Sequence, residues 1–295
     1  MKKILVTGAN GFTGKYVVAE LEKKDYQIIR LVGKKANVDE VECDITNKES
    51  VKSCLNEAQP DAIIHLAAIS FVGHEDQTAF YNVNLFGTLN ILAAIDELGL
   101  NLDKVILASS ANVYGNPNVT SINEEQVPAP VNHYAMSKLA MEHMSKNWFS
   151  KIPIIITRPF NYTGPGQAEC FLIPKIVSHF KSKKKQIELG NIDVYRDFSD
   201  VRDVARYYVD LLESDAKSQV VNLCSGRVFS IEYIIQKMEK IAGYCINVKV
   251  NPDFVRENEI KSLGGDNRKL LELKGTTFKT VMNIEQTLMD MYHER

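Results

Sequence analysis

The 295-residue chain lacks most of the features that mark several large protein classes. It has no excess of positive charge: 35 Lys and Arg stand against 37 Asp and Glu, a formal net charge of -2. Nucleic acids and anionic membranes are held through a concentrated positive field, so this balance argues against both as partners. The five cysteines (Cys43, Cys54, Cys170, Cys224 and Cys245) are odd in number and far apart. None has the close spacing of a structural zinc site, and a chain of this size has no need of disulfide staples. The expectation is a reducing compartment, the cytoplasm, with no metal. No segment approaches about 18 uninterrupted apolar residues, and the first apolar run breaks at Thr7-Gly8, too soon for a signal-peptide core. Only 9 Pro and 16 Gly accompany a 45% hydrophobic fraction, which excludes a disordered or collagen-like chain. The length is about twice the ~150-residue prior for one domain.

What is present begins at the first strand. Ile4-Leu5-Val6 is apolar and closes on Gly8-Ala9-Asn10-Gly11-Phe12-Thr13-Gly14, followed by helical periodicity over 15–24. Further strands are predicted at 27–32, 61–66 and 103–109, with helices at 48–58 and 78–98. Strands alternating with helices imply a Rossmann-type α/β fold, a doubly wound parallel sheet covered on both faces. Three glycines between strand and helix let main-chain N–H groups approach a pyrophosphate, aided by the helix N-terminus. After Leu66 the third strand ends in the small residues Ala67 and Ala68, leaving room for a cofactor. Asn84 is placed to tie backbone segments beneath it, and Asn82 to cap.

The acidic residue that receives an adenine-ribose diol after the second strand is missing. Arg30, Lys34 and Lys35 stand there instead, which favours a 2′-phosphate and hence NADPH, with NADH as the alternative. Asp44, ahead of Ile45, is placed to accept from the adenine amine, or else to cap the helix that begins near Asn47.

Tyr134 and Lys138, at i and i+4, share a helix face. A ketone reduction needs a proton donor at oxygen while hydride arrives at carbon. A Tyr phenol titrates at about 10, and a neighbouring ammonium lowers that value. Ser110 ends an apolar strand at the edge where open sheets bind ligands, placed to hold a carbonyl oxygen near Tyr134.

These strings resemble the extended branch of the short-chain dehydrogenase/reductases, especially its nucleotide-sugar enzymes. The resemblance runs through T-G-A-N-G-F-T-G at 7–14, H-L-A-A at 65–68, S-S-A-N-V-Y-G at 109–115 and Y-A-M-S-K at 134–138. It continues through R-P-F-N-Y-T-G-P-G-Q at 158–167, R-D-F-S-D-V-R-D-V at 196–204, N-L-C-S-G at 222–226 and G-D-N-R-K-L at 265–270. It implies a Ser110–Tyr134–Lys138 triad, with the 158–162 loop, including Pro159, beside the nicotinamide and sugar diphosphate. Members that dehydrate carry Glu where Ala111 and Asn112 stand, and neither Ala nor Asn abstracts a proton. What remains is simple ketone reduction, or oxidation and re-reduction at C4 as in the epimerases. The 158–167 and 196–203 strings are most similar to the GDP-4-keto-6-deoxy-mannose reductases, which implies NAD(P)H-dependent reduction of the C4 ketone of a nucleotide-linked 4-keto-6-deoxyhexose. A 4-epimerase is the enzymatic alternative; a non-catalytic dinucleotide sensor or assembly protein is the other class.

Residues 1–160 are expected to form mainly the cofactor domain. Residues 161–295 are expected to form a smaller substrate domain for a nucleotide-diphosphate sugar, with segments near 190–225 returning to the larger one. Substrate candidates are His74, Ser110, Ala111, Asn112, Asn161, Gln167, Arg196 and Arg256; the arginines suit phosphate or nucleobase. Asp203 is expected to cap the helix that follows it and to form a local ion pair. His65, inside an apolar strand, reads as a satisfied core residue. The resemblance also implies a homodimer through the helices at 80–98 and 133–149.

Overall fold

The computed structural model describes residues 1–35, 37–255, 261–274 and 282–294. Its centre is a seven-stranded, all-parallel sheet. Six of the strands are β1 (Lys2–Thr7), β2 (Tyr26–Val32), β3 (Glu40–Glu42), β4 (Ala62–His65), β5 (Lys104–Ala108) and β6 (Ile154–Pro159). β7 (Asn161–Thr163), β8 (Gln186–Leu189) and β9 (Tyr195–Asp200) lie outside this sheet, and β10 (Gln219–Leu223) rejoins it beside β6. The spatial order is β3-β2-β1-β4-β5-β6-β10. The order reverses between β1 and β4, and open sheets bind ligands at such a switch point, outside the carboxyl ends of the strands.

Burial explains why the strands are parallel. Ile4, Val6, Ile64, Ile106 and Ile155 fill one face, while Leu5, Ile63, Val105, Leu107 and Ile156 fill the other. A sheet buried on both faces needs helices on both faces, which crossover connections supply. Each such side chain contributes about 1.5–3 kcal/mol on burial. α1 (Phe12–Leu21) packs against α7 (Val201–Glu213) on the first face, and α2 (Lys48–Ala58) against α4 (Thr88–Leu98) on the second.

The helix expected at 78–98 is one run built from three pieces. α3 (Gln77–Phe80) leads through a π-helical stretch, Tyr81–Gly87, into α4. The whole of Gln77–Leu98 is long and apolar enough to cross a membrane. Here it covers the sheet, with Phe80, Asn84, Thr88, Leu92 and Ile95 buried. Asp76 caps the run, and Asn82 lies inside it, so the capping expectation for Asn82 is corrected. Wide turns of this kind recur at functional sites, and Asn84 sits in this one.

The remaining elements form a smaller unit over the carboxyl edge. β9 pairs with β7, with β11 (Val228–Ser230) and with β13 (Ser262–Leu263), and β8 pairs with β12 (Asn247–Val250). α9 (Arg268–Lys274) lies against β10, while α6 (Leu172–Lys181), α8 (Ile231–Ala242) and α10 (Ile284–His293) pack a second core around Ile176, Phe180, Ile234, Met238 and Leu288. Of the segments expected to return to the large sheet, β10 joins it and α7 covers it, whereas β9 belongs to the smaller unit. Asp200, not Asp203, caps α7 by accepting from the Arg202 N–H. Asp203 instead pairs with Arg206 and accepts from the Met282 N–H.

Candidate active site

The glycine loop is closed too tightly for side chains at two of its positions. Gly8 has φ +68°, and a Cβ there would lie 2.9 Å from the Ala67 nitrogen. A Cβ on Gly14 would lie 2.1 Å from the Gly8 carbonyl oxygen, so α1 rests directly on the turn. α1 begins at Phe12, three residues earlier than periodicity predicts, and Gly11 offers it no side-chain cap. The first N–H groups of the helix thus stay directed at the space above the loop, an arrangement suited to phosphate. The cradle fits the pyrophosphate of a dinucleotide.

The other candidates near this loop divide. Asn10 donates its amide to Glu40 (2.9 Å), which braces the loop from β3. Thr13 shares a hydrogen bond with the Tyr162 hydroxyl (2.8 Å), and the Phe12 ring lies nearly parallel to Tyr162. Arg30 corrects an expectation: its guanidinium is held between Glu22 and Asp39, so it serves ion pairs. Lys34 is exposed. Asp44 folds onto Thr46, accepting from its N–H and its hydroxyl, while Asn47 caps α2; the capping alternative for Asp44 is therefore wrong. Ile45 is buried and packs toward Gly87. Leu66, Ala67 and Ala68 lie half-buried just past β4.

Beneath the loop runs a buried hydrogen-bond chain. The Thr7 hydroxyl accepts from the Leu66 and Ala67 N–H groups, so its own proton goes to His65 Nδ1 (2.7 Å). His65 Nε2 then carries the ring proton and donates to Thr88, whose hydroxyl donates to the Asn84 carbonyl. The Asn84 side chain accepts from the Ile69 N–H and donates to the Ile69 carbonyl and to Ser137. His65 is thus a satisfied core residue, and Asn84 ties the segment after β4 to the helix that carries Tyr134. Burial pushes the His65 imidazole down to about 3. Between that value and about 6.5 the unfolded chain binds a proton that the folded one refuses, so stability falls as pH drops through this window. We expect the melting temperature to drop more between pH 7.5 and 5 in the native protein than in His65→Gln. Equal slopes by calorimetry would contradict this account.

α5 (His133–Ser145) presents Tyr134 and Lys138 on one buried face, and Asn132 caps it on the Ala135 N–H. Ser110 follows β5, and its hydroxyl oxygen accepts the Asn112 N–H (3.2 Å), which leaves its proton free to donate. Lys138 Nζ donates to the Ala108 carbonyl (2.7 Å). The structure thus places Ser110, Tyr134 and Lys138 together at the carboxyl edge. Burial raises the Tyr134 phenol to about 12, against an opposing hydrogen bond from Ser110. Burial lowers Lys138 to about 8, opposed by the charge of Glu142. The spacing leads one to expect the ammonium to lower the phenol; in the fold the opposing effect comes from Ser110, and desolvation raises the phenol.

Several substrate candidates find other work. The Ala111 methyl is turned into a small core with Tyr114 and Phe160, because the chain makes a tight helical turn after Ser110. Gln167 accepts from Thr163 and donates to the Tyr162 carbonyl, so it braces its own loop. His74 is exposed and bonded to Asp76, with its ring against Phe80, which in turn packs on Tyr134. Asn112 and Pro159 are half-buried and Asn161 is exposed. Arg196 lies half-buried on β9 and donates to the Tyr195 and Lys261 carbonyls. Arg256 lies outside the described residues. Sequence reasoning passed over Tyr162 and the buried pair Glu142–Arg158. The only signal for the pair was a carboxylate on a helix face otherwise destined for the interior.

Residues 5–291 match the family described as GDP-mannose 4,6 dehydratase. The chain is 38% identical, over 99% of its length and 98% of the relative's, to a GDP-6-deoxy-D-talose 4-dehydrogenase from Aggregatibacter actinomycetemcomitans. It is 32% identical to a GDP-6-deoxy-D-mannose reductase from Pseudomonas aeruginosa, covering 97% and 95% of the two chains. A solved structure of RMD from Pseudomonas aeruginosa complexed with NADPH superposes with a TM-score of 0.86 at 30% identity, over 99% and 98% of the chains. With its Rossmann-type sheet, the chain belongs to the GDP-mannose 4,6-dehydratase family, in the nucleotide-sugar branch of the extended short-chain dehydrogenase/reductases.

Proposed function

We propose that the protein reduces the C4 ketone of GDP-4-keto-6-deoxy-mannose, using NADPH. The observation that carries this reading is the meeting of Ser110, Tyr134 and Lys138 at the carboxyl edge of the sheet, beside the Gly8–Gly14 cradle. The two named relatives act in the same chemistry: 6-deoxy-talose and 6-deoxy-mannose differ in configuration at C4, so one 4-ketone serves both products. Dehydration needs a carboxylate to take the C5 proton; Ala111 is in the core and Asn112 carries a neutral amide.

Bound in the cradle, NADPH supplies the hydride. Ser110 turns its proton from the phenol oxygen to the ketone oxygen and holds that oxygen against Tyr134. A phenol titrating at about 12 stays protonated at neutral pH, which suits protonation of a developing alkoxide better than removal of a proton from an alcohol. Lys138, anchored at the Ala108 carbonyl, keeps two further N–H donors for the nicotinamide ribose and the phenol. Gly33, Lys34 and Lys35 directly follow β2, the lysines are exposed, and Asp39 beyond them is taken by Arg30, which supports NADPH over NADH. A panel of GDP-, dTDP- and CDP-linked 4-keto-6-deoxy sugars with each cofactor tests the reading. Stoichiometric NADPH oxidation with the GDP sugar supports it, whereas no reaction with the 4-keto sugars and interconversion of the C4-epimeric 4-hydroxy nucleotide sugars without net oxidation identifies an epimerase instead.

The reading extends to a cytoplasmic homodimer. Phe86, Met136 and Met144 are exposed on the two helical runs, an apolar surface that a second copy would cover. Sedimentation equilibrium is expected to give twice the chain mass for the native protein and the chain mass for Phe86→Glu; a native monomer refutes the proposal.

A further inference from the structure

The face of α5 that carries Tyr134 and Lys138 continues one turn further, to Glu142. Glu142 is fully buried, with 0% of its surface exposed. Its carboxylate accepts the Ser109 hydroxyl proton and the Nε and Nη2 protons of Arg158. Ser109 directly precedes Ser110 at the end of β5, and Arg158 directly precedes Pro159 at the end of β6. The Arg158 guanidinium lies 4.7 Å over the Tyr114 ring, and the Tyr114 hydroxyl donates to Asn222 at 2.7 Å. One carboxylate therefore fixes the catalytic helix to the two strand ends beside the reacting carbon.

The charge count makes this more than a brace. Arg158 and Lys138 are both buried, at 4% and 3% exposure, and Glu142 is the anion between them. A buried charge without a partner costs several kcal/mol, so two cations in one dry region depend on the carboxylate they share. Among the described residues, the other groups facing Lys138 supply no negative charge. Tyr134 on its own helix is a neutral phenol, His65 on β4 is neutral, and Ala108 on β5 offers a carbonyl.

We propose that Glu142 is a positioning residue for the reaction: it holds the ammonium charge of Lys138 in the buried site and, through Ser109 and Arg158, sets the strand ends around Tyr134. Its catalytic consequence rests on the proposed reductase reading; its effect on Lys138 does not. The ammonium is lost as pH rises through its pKa. Removing the Glu142 charge therefore brings that loss to lower pH, and the alkaline limb of kcat moves down with it.

The test follows Lys138 directly, by ¹³Cε-lysine NMR titration of the full chain, with the resonance assigned through Lys138→Arg. Glu142→Gln is expected to lower the Lys138 pKa by about 1 unit or more, and Glu142→Asp to leave it near the native value. Glu142→Gln strands the Arg158 charge, so Glu142→Gln/Arg158→Met is titrated alongside it and is expected to shift the same way in a fold free of an orphan cation. In the reductase assay the alkaline limb moves down in the Gln variants and returns in Glu142→Asp. A Lys138 pKa unchanged in the Gln variants overturns the proposal, as does a kcat loss that is uniform across pH. An inactive native enzyme refutes the reductase reading while the titration still decides the role of Glu142.

Discussion

Tyr134→Phe is expected to lower the turnover of ketone reduction by about 10²- to 10⁴-fold, the usual contribution of a positioned general acid. The substitution removes one oxygen from a ring packed against Phe80 and leaves Ser110 and Lys138 in place. The Lys138 ammonium, held by the Ala108 carbonyl and countered by Glu142, needs nothing from the phenol to stay where it is. Cofactor affinity should therefore stay within a few-fold of native, read by fluorescence titration. Turnover within a factor of about 3 of native would remove Tyr134 from the acid role, because a residue that donates the proton in the transition state cannot be so cheaply lost.

Gly14→Ala is expected to abolish measurable dinucleotide binding and to destabilise the fold by about 3 kcal/mol or more, at the upper end of overpacking costs. The added methyl would sit 2.1 Å from the Gly8 carbonyl and 2.8 Å from the Ala9 backbone, with no flexible side-chain end to yield. α1 must tilt off the turn, and the N–H groups of its first turn lose their common aim. Gly33→Ala is the control, since a Cβ there meets nothing within 4 Å. Native-like cofactor affinity in Gly14→Ala would show that the close seating of the helix is not what builds the cradle. The comparison is read by calorimetric titration and denaturant melts on both variants.

Local patterns were legible wherever neighbours in sequence decide the structure. The strand before Gly8, the glycine spacing, the helix over 48–58 and the i, i+4 placement of Tyr134 and Lys138 all reflect short-range rules, and each appears in the fold. Ser110 needed one step more, the rule that strand ends gather at one sheet edge. Where side-chain partners rather than backbone pattern decide, the reading failed. Arg30 looked available for phosphate until Glu22 and Asp39 closed on it. Gln167 was open to the sugar or phosphate or to capping its own loop, and Thr163 and the Tyr162 carbonyl, which take both ends of its amide, decide for the loop. Ala111 is in the core because the chain tightens after Ser110, a twist that composition does not announce. Glu142 was invisible for the same reason: its partners lie 33 and 16 residues away, on two different strands.

The central claim is that the buried serine, phenol and ammonium deliver a proton while hydride enters the sugar at C4. NADPH deuterated at the transferring position of nicotinamide C4, incubated with GDP-4-keto-6-deoxy-mannose, tests it in one experiment. The account predicts one equivalent of oxidised cofactor and product NMR showing deuterium bonded to sugar C4 in a single configuration. Cofactor oxidation that leaves sugar C4 unlabelled, or an unchanged ketone with no oxidised cofactor, would contradict it.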